Sequence, residues 1–218
     1  DDRPTMRAEL SPDERDFEID VLVSNLNEPM ELAPLPDGRI LFIERPGSVH
    51  VVDPKTGSDV IINELEVAYG LEDGLIGLAV DPNFTDNGWT YLYYSPVDTS
   101  VNRLSRFTFD GTRLDLESES VLLEVRTQRE TCCHAGGSLA FGPGGTLFLS
   151  TGDNVNPFEA DRYAPIDERP ERASYNAQGT SANSQDLRGK ILRIRPEADG
   201  TYSIPAGNLF EDPAEGRP

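Results

Sequence analysis

One histidine lies in a sequence that suits proton transfer. His134 is preceded by two adjacent cysteines and followed by Ala135, Gly136 and Gly137. An imidazole, with an ordinary pKa of about 6.5, accepts a proton at neutral pH, and glycines let a ligand approach the backbone closely. His134 is therefore a candidate general base, and the competing interpretation is a structural histidine.

A carboxylate is predicted to lie beside this histidine. Asp153 follows an apolar run that ends at Gly152, and the run after His134 reverses direction at residues 143–145. The two runs form an antiparallel hairpin, which brings both residues to one end. A carboxylate there could fix the imidazole tautomer and stabilise its charged form, or it could cap the turn after Gly152.

A second acidic pair is predicted at the same end. Glu72 and Asp73 stand directly before the run that begins at Gly74, and this run corresponds to the one after His134. Corresponding positions of a repeated architecture fall at the same end of neighbouring units. The pair is therefore expected at the same end of the repeated units as His134, and this end is called the rim. The alternative is that both residues are ordinary loop carboxylates of an acidic chain.

The chain contains two cysteines, Cys132 and Cys133, and they are adjacent. Neighbouring Cα atoms across a trans peptide are about 3.8 Å apart, which is closer than most disulfides favour. The favoured expectation is that one cysteine pairs outside this chain, and a bond between the two is the alternative.

The candidate residues stand on a structural repeat. Three segments share an apolar strand, a turn rich in Pro, Gly and Asp, a second strand, and then a third strand with a polar turn. The lead residues Leu32, Leu78 and Leu139 are 46 and 61 positions apart. This spacing predicts an all-β propeller of four-stranded antiparallel blades, and a β-sandwich with unrelated hairpins is the alternative. The hairpins are residues 30–44, 76–94 and 138–150.

The repeat predicts an incomplete ring. Propellers have about 4 to 8 blades, whereas residues 28–218 account for three copies of the repeat. Residues 1–27 form an N-terminal segment, in which a strand at 17–23 is expected to close the last blade of the remaining half. The long polar loop 153–187 is interpreted as functional, or else as a solvated excursion or a contact with a partner domain.

The charge balance excludes two classes of partner. The chain has 39 acidic and 19 basic residues, giving a formal net charge of −20, which repels nucleic acid and anionic lipid. No apolar run reaches about 18 residues, so no membrane span is predicted. The acidity is interpreted as an adaptation to solubility, with calcium binding as the alternative.

Five stretches, in order along the chain, carry a family resemblance. They are residues 73–84 (DGLIGLAVDPNF), 134–143 (HAGGSLAFGP), 147–153 (LFLSTGD), 187–194 (LRGKILRI) and 202–210 (YSIPAGNLF). Together they resemble the soluble glucose and sorbosone dehydrogenases that use pyrroloquinoline quinone (PQQ). The resemblance implies a six-bladed propeller, of which this chain holds about three blades, with PQQ and Ca²⁺ as cofactors.

The resemblance also implies roles for the candidate residues. His134 is similar to the family's general base, and Asp153 to the carboxylate that orients it. Glu72 is loosely similar to a polar residue that lines the substrate pocket. The residues that hold PQQ and calcium are implied to lie mainly in the half outside this chain.

The implied activity is oxidation of the C1 hydroxyl of an aldose or a related sugar. His134 would accept the hydroxyl proton while the C1 hydrogen passes as hydride to PQQ, which Ca²⁺ would polarise. The implied enzyme is periplasmic or secreted. It needs a sugar substrate, an external electron acceptor and the remaining half of the propeller, so this chain alone is expected to be inactive.

Two departures from the family pattern leave the substrate open. The sugar-oxidising relatives carry an acid that touches substrate immediately before the histidine, where this chain has Cys133. The loop after Asp153 is also longer here. The alternative function is a calcium-stabilised propeller that binds sugar without redox chemistry. A hydrolase using His134 and Asp153 is a third interpretation, for which the sequence shows no evident nucleophile.

Overall fold

Three antiparallel sheets form the regular structure of the protein. The computed structural model describes residues 17–210, and residues 1–16 and 211–218 lie outside the described part. Each sheet has four strands in sequential order, so every strand pairs with its neighbour along the chain. The prediction of an all-β fold made of four-stranded antiparallel propeller blades is confirmed.

The strands are distributed evenly among the sheets. The first sheet contains β1 (Pro29–Pro34), β2 (Ile40–Glu44), β3 (Ser48–Asp53) and β4 (Ser58–Glu64). The second contains β5 (Leu75–Val80), β6 (Trp89–Tyr94), β7 (Val101–Phe109) and β8 (Leu114–Arg126). The third contains β9 (Gly136–Gly142), β10 (Thr146–Thr151), β11 (Ile191–Pro196) and β12 (Tyr202–Ser203). Helical structure among residues 17–210 consists of α1 (Phe84–Asn87) and 3₁₀ turns at Pro143–Gly145, Ala173–Tyr175 and Ala177–Gly179.

The middle sheet buries both of its faces. Leu92 and Tyr93 are neighbours on β6 and point to opposite faces, because successive side chains of a strand alternate. Leu92 belongs to the apolar cluster that contains Leu41 of the first sheet, and Tyr93 to the cluster that contains Leu147 of the third. All four side chains are fully buried, and each buried leucine contributes about 1.5–3 kcal/mol relative to exposure.

The first strands of the second and third sheets, β5 and β9, are called the inner strands here, and their backbones approach each other closely. A Cβ atom on Gly77 of β5 would lie 2.1 Å from the carbonyl oxygen of Gly137 in β9. Any side chain at position 77 would therefore push the two strands apart. The close approach brings the loops before β5 and β9 together, and these loops carry Glu72 and His134.

The outer faces of the first and third sheets carry uncovered apolar side chains. Leu32 and Ile61 are 63% and 53% exposed on the first sheet, and Ile191 is 76% exposed on the third. Sheet faces of this kind ordinarily pack against another layer, as they do in a propeller that continues on both sides. The sheets described here are thus part of a propeller.

Residues 17–23 make no strand pairing with the other described residues. Phe17 and Ile19 are 65% and 89% exposed. The expectation that a strand here closes the last blade therefore stays a prediction, and the rest of the N-terminal segment, residues 1–16, lies outside the described part.

A buried carboxylate organises the long connection between β10 and β11, residues 152–190. Asp167 is 1% exposed and accepts hydrogen bonds from Arg169 at 2.8 Å and Arg172 at 3.1 Å. The hydrogen bond from Arg169 is the main reason that the pKa of Asp167 lies well below its usual range. The polar loop is thus organised by the Asp167 carboxylate and the two guanidinium groups that bind it.

None of the helices formed by residues 17–210 is long and apolar enough to span a membrane.

Candidate active site

His134 and Asp153 are in direct contact at one end of the β9–β10 hairpin. His134 Nδ1 lies 2.8 Å from Asp153 Oδ1, and the two side chains are 45% and 21% exposed. When the carboxylate accepts the Nδ1 proton, Nε2 is the basic nitrogen of the ring. Among residues 17–210, Nε2 has no hydrogen-bond partner, so it is available to a ligand.

Backbone hydrogen bonds fix the turn that presents His134. Its carbonyl oxygen accepts the N–H of Asn154 at 3.0 Å, and the carbonyl of Ala135 accepts the N–H of Gly152 at 3.0 Å. His134 has a left-handed backbone, with φ 57°, which is unfavourable for a residue with a Cβ atom. A Cβ on Gly152 would lie 1.7 Å from the carbonyl oxygen of His134, so glycine is needed there.

Asp153 also caps its own turn. Its Oδ1 accepts the N–H of Val155 at 3.0 Å, while the same oxygen contacts the His134 ring. One oxygen thus makes both the contact expected of an orienting carboxylate and the contact expected of a turn cap.

Glu72 reaches the same turn from the second sheet. Its Oε2 accepts the N–H of Ala135 at 2.9 Å, although its side chain is exposed. The loop that presents it includes Leu71 in a left-handed conformation, with φ 53°. The structure therefore brings Glu72, His134 and Asp153 to one rim, as the corresponding positions of the repeats require.

A partly buried polar network lies under this rim. Asp73 accepts a hydrogen bond from the hydroxyl of Ser95 at 3.1 Å and lies 3.6 Å from Arg129 Nε. Arg129 donates to the carbonyls of Pro96 and Val101. Burial raises the pKa of Asp73 above its usual value, and the contacts with Ser95 and Arg129 oppose this shift.

Sequence reasoning missed Ser95 and Arg129. Ser95 directly follows β6, and Arg129 stands shortly after β8. Both strands end at the rim where β5 begins, because neighbouring strands of the sheet are antiparallel. Their positions at strand ends are the signal that could have identified them.

Cys132 and Cys133 are joined by a disulfide. The favoured expectation, that one of them pairs outside this chain, was therefore wrong for this structure. Their Cα atoms are 3.2 Å apart, and the peptide between them is cis. The pair stands immediately before His134, with Cys133 buried and Cys132 half-buried.

Comparison with known proteins identifies the family. A family model described as glucose/sorbosone dehydrogenase matches residues 26–218. The chain belongs to this family. A solved structure of the PQQ-bound aldose sugar dehydrogenase of Streptomyces coelicolor is 28% identical, with a TM-score of 0.67, over 88% of this chain and 51% of that one.

Two further proteins are similar in sequence to this chain. Quinoprotein glucose dehydrogenase B of Acinetobacter calcoaceticus is 28% identical over 211 residues, which cover 88% of this chain and 41% of the relative. The human Hedgehog-interacting protein is 29% identical over 216 residues, covering 88% of this chain and 28% of the relative. The chain thus spans half or less of the length of these relatives.

Proposed function

We propose that the protein is a PQQ-dependent dehydrogenase that oxidises the C1 hydroxyl of an aldose or a related sugar. Membership of the glucose/sorbosone dehydrogenase family supports this proposal, as does the likeness to a PQQ-bound aldose sugar dehydrogenase. The observation that carries it is the His134–Asp153 contact at an exposed rim, which leaves Nε2 available.

In this proposal His134 is the general base. Its Nε2 accepts the proton of the sugar hydroxyl, and the Asp153 carboxylate holds the Nδ1 proton and stabilises the imidazolium that results. The backbone hydrogen bond from the Asn154 N–H to the His134 carbonyl fixes the turn that carries the ring. A base held in this way needs little rearrangement when substrate arrives.

Glu72 is proposed to bind the sugar. Its Oε2 is occupied by the N–H of Ala135, whereas Oε1 has no hydrogen-bond partner among residues 17–210. A carboxylate oxygen accepts hydrogen bonds from hydroxyl groups. Because Ala135 is the residue after His134, this oxygen would hold a sugar hydroxyl close to the base.

The described rim fits the sugar side of such a site, since it offers an exposed imidazole and a carboxylate with a free oxygen. PQQ, when bound, supplies the hydride acceptor, and Ca²⁺ is the proposed Lewis acid. The residues that hold both are proposed to lie mainly in the remaining half of the propeller. This chain alone is accordingly proposed to be inactive.

The setting of the enzyme is part of the same proposal. The protein acts in the periplasm or outside the cell and passes electrons to an external acceptor. Its partners are the sugar and the remaining half of the propeller, and the net charge of −20 argues against nucleic acid as a partner.

A sugar-binding propeller without redox chemistry is the second candidate. One observation favours a binding function, although it does not point to sugar: the 29% identical human relative is named for its interaction with Hedgehog and not for an oxidation. Family membership alone therefore does not separate a binding protein from an enzyme.

The deciding experiment reconstitutes the full-length protein with PQQ and calcium and measures dye reduction with a panel of aldoses. The dehydrogenase proposal expects turnover that falls strongly in His134→Ala. Ser138→Ala, an exposed residue on the same strand β9, is the matched control and should retain activity. Sugar binding without PQQ uptake or turnover would support the binding protein instead.

A further inference from the structure

Asn154 is hydrogen-bonded to both ends of the segment 128–134, which lies between β8 and β9 and ends at the candidate base. At the start of this segment, Asn154 Oδ1 accepts the N–H of Gln128 at 2.6 Å, and Asn154 Nδ2 donates to the Gln128 carbonyl at 3.2 Å. At its end, the Asn154 N–H donates to the His134 carbonyl at 3.0 Å. One residue therefore holds the two ends of the segment in a fixed relation.

The segment is also tied within itself. Gln128 Oε1 accepts the N–H of Thr131 at 3.0 Å, and Gln128 Nε2 donates to the Thr131 carbonyl at 3.2 Å. The Cys132–Cys133 disulfide follows directly. Because few backbone positions of the segment are left free, a displacement at Gln128 is carried along the chain to His134.

Asparagine suits position 154 for two reasons. Its backbone is left-handed, with φ 54°, a conformation that asparagine adopts more readily than most other residues with a Cβ atom. Its side chain is buried, with 7% of the residue exposed, and only an amide offers both the acceptor and the donor that the Gln128 backbone requires. A carboxylate in the same place would have no proton for the Gln128 carbonyl.

We propose that Asn154 is a positioning residue for the His134 imidazole. Through the segment 128–134 it keeps Nδ1 against Asp153, so that one ring tautomer is selected and Nε2 remains available. Asn154 does not bind the sugar itself, because it is buried and both groups of its amide are occupied. Its effect on turnover rests on the proposed dehydrogenase function, whereas its effect on the ring does not.

Asn154→Gly is the variant that isolates the side chain. Glycine keeps the N–H that bonds to His134 and adopts a positive φ without strain, so the variant loses the bonds to Gln128 alone. Asn156→Gly is the matched control. Asn156 is also buried, but its Oδ1 accepts the N–H of Phe158 at 2.7 Å within the long loop.

The first measurement reads the ring and needs no activity. The full-length protein is labelled with ¹⁵N-histidine and studied by nuclear magnetic resonance above pH 6.5, where the imidazole is largely neutral, and the His134 signals are assigned with His134→Ala. We expect widely separated shifts of the two ring nitrogens in the wild type, with the proton on Nδ1. In Asn154→Gly the two shifts should approach each other, because both tautomers are populated, whereas Asn156→Gly should resemble the wild type.

The second measurement is turnover of the full-length protein reconstituted with PQQ and calcium, expressed per folded, PQQ-loaded molecule. A misplacement of about 1 Å costs about 10²-fold in rate, so kcat of Asn154→Gly should fall by about 10- to 100-fold with little change in KM. Asn156→Gly should keep the wild-type kcat even where thermal unfolding shows that it is less stable. Loss of stability alone lowers the folded fraction and not this normalised rate.

The outcomes separate this proposal from the proposed function. A single tautomer retained in Asn154→Gly, an unchanged normalised kcat in an active enzyme, or equal effects in Asn156→Gly would each overturn the role of Asn154. A wild-type protein that turns over no aldose would refute the dehydrogenase, and the ring measurement would still decide whether Asn154 positions His134. If Asn154→Gly does not fold, Asn154→Asp, which keeps the acceptor and loses the donor, should show the same mixture of tautomers.

Discussion

The carboxylate of Glu72, in the loop ahead of the second sheet, accepts a hydrogen bond from the backbone N–H of Ala135, in the turn ahead of the third sheet. The candidate base therefore stands on a turn that is tied to two sheets at once. Within its own hairpin, the carbonyl of His134 accepts the N–H of Asn154. Packing between the sheets thus determines the geometry of the site.

The first prediction concerns the charge of Asp153. Asparagine at this position keeps an oxygen for the N–H of Val155 but no longer stabilises a protonated imidazole. Asp153→Asn in the reconstituted full-length protein should therefore melt close to the wild-type temperature while kcat falls by about 10²–10⁴-fold. Steady-state kinetics with PQQ and calcium, together with thermal unfolding, measure both quantities.

The double variant His134→Ala with Asp153→Asn is the control for this interpretation. If Asp153 acts through the imidazole, the double variant should be no slower than His134→Ala alone, because residues that act as a unit are not additive. Multiplicative losses would mean that Asp153 contributes by another route.

The second prediction concerns the glycine opposite the His134 carbonyl. A Cβ on Gly152 would lie 1.7 Å from that oxygen, so the β9–β10 hairpin must open to accept alanine. Gly152→Ala should cost about 2 kcal/mol or more in the free energy of unfolding and should also lower kcat. Gly179→Ala, where nothing lies within 4 Å of the added atom, should be nearly neutral. Similar losses in the two variants would contradict this account.

Much of the fold was predictable because it follows from local patterns. The hairpin that carries His134 and Asp153 is set by two apolar runs and a Pro-Gly-Gly turn, and antiparallel pairing then brings the two residues to one end. The same repeat places Glu72 at the corresponding end of the neighbouring sheet.

The remaining features depend on how separate sheets meet. Glu72 bonds to Ala135 only because Gly77 and Gly137 allow the inner strands to approach closely. Ser95 and Arg129 converge on Asp73 from the ends of two different strands, and their positions after those strands indicate the rim but not the contact.

The third prediction concerns substrate binding by Glu72. Removing its carboxylate removes one acceptor for the sugar and the partner of the Ala135 N–H, whereas the base and its orienting carboxylate remain. Glu72→Ala should raise KM by about 10-fold, equivalent to about 1.4 kcal/mol, with a smaller change in kcat. Glu130→Ala removes an exposed carboxylate of the same region and should change neither constant. A loss confined to kcat would argue against a role in binding.

The fourth prediction concerns acid stability of the long loop. Arg169 and Arg172 hold the pKa of Asp167 below its usual range, whereas the unfolded carboxyl titrates at about 3.9. As the pH falls through about 3.9, the unfolded chain takes up a proton at Asp167 before the folded chain does. The stabilisation that the two arginines give to the folded carboxylate is therefore complete at higher pH and is lost as the pH falls. Asp167→Asn should therefore be less stable than wild type at neutral pH, and the difference should shrink at about pH 3. Urea unfolding at both pH values measures the difference. Asp161→Asn is the control, since Asp161 contacts the same Arg169 but is 74% exposed. An equal loss of unfolding free energy in that variant would contradict the assignment to the buried carboxylate.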